Sequence, residues 1–252
     1  MLSFCKGPPC RQRYWYGKLK ILMPSKNSVK EFVADSFYHI YNRGVEKRLI
    51  FQDAQDYAVF LLYLKTYLLP KDEKALQATL SDPEVLWKEK DKVLKLLRLN
   101  NFSEEISLIS YCLMPNHFHL LIKQTDAMTI DTFMNSLCTR YAMYFNRKYK
   151  RVGVLFQDHY KAVRVTSDEQ LLHLSRYIHR NPAQLLQGAP LQSYLYSSYP
   201  EYLQLRISPW VASNIILDYF SKNGNASESY RSFAEGGGVD ESMLASVLMD
   251  EA

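Results

Sequence analysis

Residues 111–124 read YCLMPNHFHLLIKQ, and the reading of this stretch organises the rest of the chain. Apolar residues on both sides of Met114-Pro115-Asn116 predict two strands joined by a tight turn, because Pro fixes φ and Asn tolerates unusual backbone angles. Side chains alternate along a strand, so His117 and His119 share one face while Phe118 and Leu120 share the other. Two imidazoles so placed are about 7 Å apart along the backbone. They can converge on one divalent ion or one phosphate, or they can be two ordinary histidines on a solvated strand face.

Strand and helix periodicities extend the pattern outward. Residues 36–43, SFYHIYNR, alternate as a strand that Gly44 ends. Asp53 is placed to cap a helix running to Leu69, with Tyr57, Phe60, Leu61, Leu64 and Leu68 on one face. Residues 71–104 form a charged insertion, in which Asp82-Pro83 predicts a helix start. Ile130, Phe133, Met134, Leu137, Tyr141, Tyr144 and Phe145 predict a helix over 128–149. Residues 154–165 read as a strand. Thr166-Ser-Asp-Glu169 reads as a capping box opening a helix to Arg180. The core order β α β β α β α predicts an α+β, ferredoxin-like split βαβ core: an antiparallel sheet with helices on one face, and an open face left for chemistry.

This gives a basic tail over 1–34, a catalytic-type domain over 35–182 that carries the insertion 71–104, and an aromatic and helical extension over 183–252. In the extension, a helix is predicted near 209–221 and a short acidic helix after the glycines at 236–238. Met23 is an alternative start.

Composition sets outer bounds. The chain has 252 residues, 47% hydrophobic, with nineteen tyrosines and a net charge of +5. Residues 1–50 hold ten Lys or Arg against three acids, and residues 225–252 hold one Arg against six acids. That asymmetry points to a polyanionic partner. Cys5, Cys10, Cys112 and Cys138 form neither a disulfide framework nor a zinc set. No apolar run is long enough to cross a membrane, and the expectation is a cytoplasmic protein.

On the helix over 167–181, Gln170, His173, Tyr177 and Asn181 recur at steps of three and four and make one polar stripe. A helix-borne tyrosine, an amide one turn later and an H-x-H pair on a sheet face suit nucleophilic attack on a phosphodiester beside Mg²⁺ or Mn²⁺. Spacing alone does not single out Tyr177 among the tyrosines. Arg140, Arg147, Lys148, Lys150, Arg151, Lys161 and Arg164 are candidate contacts to DNA phosphates. His39 can face the same site or be a half-buried histidine, and Asp158 and His159 can touch DNA or lie on the surface.

The segments MPNHFHLL, RYAMYFNRKYKRVGVLFQDHYKAVRV and LLHLSRYIHRNPA, with YNRG at 41–44 and SSYPEYL at 197–203, resemble the tyrosine-HUH transposases. Within that insertion-sequence-200-like superfamily they resemble most the REP-associated tyrosine transposase (RAYT) branch. The resemblance spans roughly residues 35–205. It implies that His117 and His119 hold the metal, that Asn181 is its third ligand and that Tyr177 is the nucleophile. It further implies a metal-dependent cleavage of single-stranded DNA beside a hairpin, leaving a 5′-phosphotyrosine, by a monomer or homodimer. Ala183-Gln-Leu-Leu-Gln-Gly departs from the family pattern after Pro182, and so does the insertion. A rolling-circle initiator or relaxase, and a DNA-binding regulator without nuclease activity, are the competing readings.

Overall fold

A computed structural model describes residues 32–221 and 224–237. Residues 1–31 of the basic tail, with Cys5 and Cys10, and the acidic helix expected after the glycines lie outside the described residues.

Four strands form one sheet: β1 (Ser36–Arg43), β2 (Ile106–Met114), β3 (His117–Gln124) and β4 (Lys161–Val165), in the order β2-β3-β1-β4. Every neighbouring pair is antiparallel. With α1 (Ala54–Leu68) between β1 and β2, and α4 (Thr129–Lys148) between β3 and β4, this is the ferredoxin-like arrangement predicted. Asp53 caps α1 by accepting the Asp56 N–H. Helices α1 and α4 pack on one sheet face, where Phe60, Leu64, Phe133, Leu137 and Tyr141 meet Ile40, Phe118, Leu120 and Ile122.

The register of β2 shifts between Leu108 and Ser110. The bulge turns Leu108 and Tyr111 to the first face, and Ile109 and Cys112 to the second. Strict alternation misassigns this strand; the sheet gains two apolar faces from it.

The second face is covered along most of β2 and β3. Leu171, Leu174 and Ile178 of α5 (Asp168–Arg180) pack there with Ile109, Cys112 and Leu121. So do α7 (Tyr199–Tyr202), α8 (Asn214–Phe220) and α9 (Ala226–Glu235), through Tyr202, Ile216 and Tyr230. Residues 196–198 also close the outer edge of β2: Leu113 N–H donates to Tyr196 O, and Ser198 N–H to Tyr111 O. An edge strand is thereby kept from pairing elsewhere. The expected open face survives only at the end of the sheet where β3 begins.

Three local expectations are corrected. Asp82 ends α2 (Glu73–Ser81), which the sequence reading did not separate out, and its carboxylate accepts the Glu84 N–H in a turn. Helix α3 (Trp87–Arg98) therefore starts past Pro83, at Trp87. The expected strand 154–165 is a strand only from Lys161. Before it, the segment meets the end of β1 irregularly: Gly44 bridges Phe156, Gln157 N–H donates to Arg43 O and Asn42 donates to the Asp158 carbonyl. Ser167, not Thr166, caps α5: its hydroxyl accepts the Gln170 N–H while Gln170 Oε1 accepts the Thr166 N–H. The box is one residue later than read, and such a cap stabilises by about 1 kcal/mol. A four-residue helix, α6 (Ala183–Leu186), follows Pro182. Among the described residues, no helix is long and apolar enough to cross a membrane.

Candidate active site

His117 opens β3 and is held by a braced turn. Gly44 N–H donates to Asn116 O at 2.8 Å, and the Ile50 and Phe51 N–H groups both donate to Pro115 O. A Cβ at Gly44 would lie 2.3 Å from the Arg48 carbonyl oxygen, so the tight fold of the 44–48 segment on itself requires glycine. Strand alternation places His119 on the face of His117, and the register sets Tyr41 of β1 opposite His119.

The two imidazoles lie with ring centroids 4.9 Å apart. Nδ1 of His117 is 2.7 Å from Oδ1 of Asn116, and Nε2 is 3.2 Å from Oδ1 of Asn181. With Nδ1–H donating to Asn116, the Nε2 lone pair meets a second acceptor at Asn181. That approach is favourable when a cation is shared between them or when the amide turns its NH₂ to the ring. Nδ1 of His119 is 2.9 Å from Nε2 of His39, so only Nε2 of His119 can serve as a ligand. Burial, then the neighbouring His39 and His117, hold the His119 pKa well below the usual imidazole value. It stays neutral, the form that ligates metals.

Tyr177 and Asn181 come from α5 and its C-cap, one helical turn apart. The Tyr177 ring centroid is 5.6 Å from that of His119 and 6.3 Å from that of His39. A cleft of about 870 Å³ gathers His117, His119, Tyr177 and Asn181, together with Tyr41, Asn42, Arg43, Lys47, Gln157, Asp158, His159, Lys161 and Arg180. The helix is fixed from behind. His179, fully buried, bonds Tyr230 of α9 through Nδ1 and Ser198 through Nε2. Arg180 donates to the last carbonyls of α9 while lining the cleft.

Two imidazoles and an amide oxygen make a neutral donor set that fits a divalent ion whose remaining positions go to phosphate oxygens. Among the described residues, no group of three or more His, Cys, Asp or Glu side chains could hold a metal. The further protein oxygen beside the pair is the Asn181 amide.

The predicted basic residues divide. Lys161 reaches the cleft, its Nζ 5.9 Å from the Tyr41 ring centroid. Arg164 is exposed on the edge strand β4. Arg140, Arg147 and Lys148 belong to α4, against the other sheet face, and Lys150 and Arg151 follow its end. Arg140 stacks on Tyr63 at 3.9 Å, Lys148 pairs with Asp53 and Asp56 at 2.7 Å, and Arg151 bonds Asn146. The structure does not bring these five to the cleft. Arg43, Lys47 and Arg180 do line it and were not singled out; Arg43 and Lys47 flank the Gly44 that ends β1, which was the available signal.

The split βαβ sheet thus carries a histidine pair on one face, with a helix-borne tyrosine beside it. Residues 84–181 match the family model described as Transposase IS200 like, and all four central side chains fall inside that match. This part of the chain is similar to the IS200-like transposases. Among solved structures, the chain is similar to a REP-associated tyrosine transposase bound to a REP hairpin, at 9% identity over 72% of this chain and 87% of that one, TM-score 0.41. It is also similar to a candidate transposase from Deinococcus radiodurans R1, at 16% identity over 60% and 95%, TM-score 0.26. A third is a tRNA(His) guanylyltransferase from Saccharomyces cerevisiae, at 10% identity over 88% and 83%, TM-score 0.31. No curated protein matches. The similarity to this family rests on the sequence match over residues 84–181, since structural likeness this distant carries no argument.

Proposed function

We propose that the protein cleaves and rejoins single-stranded DNA beside hairpins, as a transposase of the REP-associated tyrosine type. The observation that supports this reading is the convergence of His117, His119, Asn181 and Tyr177 on one basic-lined cleft. In the reaction, the Tyr177 phenolate oxygen attacks phosphorus and the P–O3′ bond breaks. The phenol gives its proton to solvent, and the leaving 3′-oxygen takes one up. The products are a 5′-phosphotyrosine and a free 3′-OH, and attack by a 3′-OH on the phosphotyrosine reverses the step.

His117 and His119, through Nε2, and Asn181, through its amide oxygen, would hold Mg²⁺ or Mn²⁺. Such an ion polarises the scissile phosphate as a Lewis acid. His119 contributes a nitrogen kept neutral by burial. Lys161, Arg43 and Lys47 line the cleft and would draw the backbone of the strand toward Tyr177. The cations of α4 would serve only flanking DNA that wraps to the other face.

The test is a covalent-adduct assay with labelled hairpin-bearing single strands and Mn²⁺. An adduct lost in Tyr177→Phe, and mapping to the peptide of Tyr177 rather than Tyr41, is expected. Hairpin binding with no adduct on any structured strand would instead make the protein a silent DNA-binding regulator. Cleavage that depends on an origin-type sequence and ignores hairpins would make it a replication initiator or relaxase.

A further inference from the structure

We infer that His39 is a positioning residue that sets the tautomer of His119, and so decides whether His119 can bind a metal; the inference rests on the metal-site reading above. His39 lies on β1, beside the strand that carries the histidine pair, and shares the face of Tyr41. It is buried at 1% exposure, in the part of the sheet that α5 covers. Its Nε2 is 2.9 Å from Nδ1 of His119. The two ring planes differ by only 15°, which suits a hydrogen bond lying in the plane of both rings.

One proton lies in this contact, and it has two possible owners. If His119 donates its Nδ1–H to Nε2 of His39, then Nε2 of His119 carries a lone pair and can ligate. If His39 donates instead, the neutral His119 carries its proton on Nε2 and cannot. The observed bond thus connects His39 to the ligand atom without His39 touching the metal. Ligating histidines commonly give their other N–H to a carboxylate or a backbone carbonyl, which can only accept. Here the acceptor is another imidazole, which can also donate. Its own tautomer therefore matters, and His39 must keep its proton on Nδ1. The sequence reading left His39 open between this site and a plain half-buried histidine; the bond to His119 decides for the site.

The inference is tested by two measurements on the full chain. The first is Mn²⁺ affinity, by calorimetry or by the free Mn²⁺ resonance signal, in native protein, His39→Leu and His39→Gln. Leu removes the acceptor, and about a 10- to 100-fold loss of affinity is expected. Gln restores an acceptor oxygen and recovers most of that loss. A folded His39→Leu protein that binds Mn²⁺ within twofold of native overturns the inference, and so does equal impairment in Leu and Gln, the mark of a merely structural role. The second measurement needs no variant: ¹⁵N NMR of the histidine side chains in metal-free native protein. His119 protonated on Nδ1 is expected, and His119 protonated on Nε2 overturns the inference even if both variants fail to fold. Native protein that binds no Mn²⁺ overturns the metal-site reading itself, an outcome distinct from the other three.

Discussion

Nε2 of His117 and the amide oxygen of Asn181, 64 residues apart in sequence, lie 3.2 Å apart across the interface of β3 and α5. With its proton on Nε2, His117 donates to that oxygen; with its proton on Nδ1, both atoms present lone pairs that could share a cation. Affinity at oxygen-rich sites follows ligand charge. Asn181→Asp, which adds a negative charge at the same reach, is expected to tighten Mn²⁺ binding by roughly tenfold. Asn181→Leu is expected to weaken it by roughly as much. Calorimetric titration of both variants checks this, and affinities indistinguishable from native in both would remove Asn181 from the ligand set.

Gly44 is a second determinant of the same geometry, at one remove. Its φ of −63° suits any residue, so the demand for glycine is steric. The nearest obstacle is the backbone oxygen of Arg48, which cannot rotate away as a side chain can. Gly44→Ala is expected to cost about 1–3 kcal/mol of stability, the usual penalty for forcing atoms into packed space. Because Gly44 N–H holds Asn116, the same change should loosen the turn that presents His117. Chemical denaturation gives the first effect, and Mn²⁺ titration of the folded variant gives the second.

How much of this was legible depended on the range of the interactions involved. Alternation in SFYHIYNR and HFHLLIK, and the three- and four-residue steps of α4, are local patterns; they yield the strands, the main helix and the face shared by His117 and His119. The Ser167 cap was readable to within one residue for the same reason. The shortening of β4 was not, because the residues before Lys161 meet the end of β1 through long-range contacts such as Asn42 to Asp158, 116 residues away. The covering of the second face was not either. It follows from Ile109 and Cys112 turning through a bulge that no periodicity announces, which gives α5, α7, α8 and α9 an apolar floor. In the site, Tyr177 could not be chosen from spacing, and the fold narrows the choice to the two tyrosines whose rings meet His119, Tyr177 and Tyr41. That the basic cluster of α4 lies away from the cleft was not legible, because charge density along a sequence carries no information about which sheet face a helix covers.

His179 gives the fold a pH dependence of definite sign. Burial lowers its pKa to about 3, while in the unfolded chain it titrates near the ordinary histidine value of about 6.5. Below about pH 6.5 the unfolded chain therefore takes up a proton that the folded protein refuses, and stability falls as pH drops toward 3. At about 1.4 kcal/mol per unit, the loss from this residue is about 2 kcal/mol at pH 5. His119, shifted in the same direction, adds to it. Urea denaturation at pH 7.5 and pH 5 should show the loss, and His179→Gln should flatten the slope even as it lowers stability at pH 7.5. A native slope near zero over this range would contradict the buried, neutral state of both histidines.

Lys148 and Lys161 were grouped together as DNA contacts by charge alone, and their surroundings now predict opposite phenotypes. Lys148 neutralises Asp56, whose side chain is fully buried and also accepts from Tyr144 and Tyr149. Removing the lysine strands a carboxylate in the protein interior, at a cost on the order of 3 kcal/mol. Lys161 has its ammonium at the cleft, above the Tyr41 ring. If it neutralises one phosphate of a bound single strand, Lys161→Ala should reduce the slope of log affinity against log salt by about 0.7. Lys148→Met should leave that slope unchanged in protein that remains folded. The pair is read from two experiments: thermal denaturation, and titration of a hairpin-bearing single strand at several salt concentrations. A slope that falls in Lys148→Met and not in Lys161→Ala would move the DNA path to the α4 face, and with it the case for Tyr177 as the attacking residue.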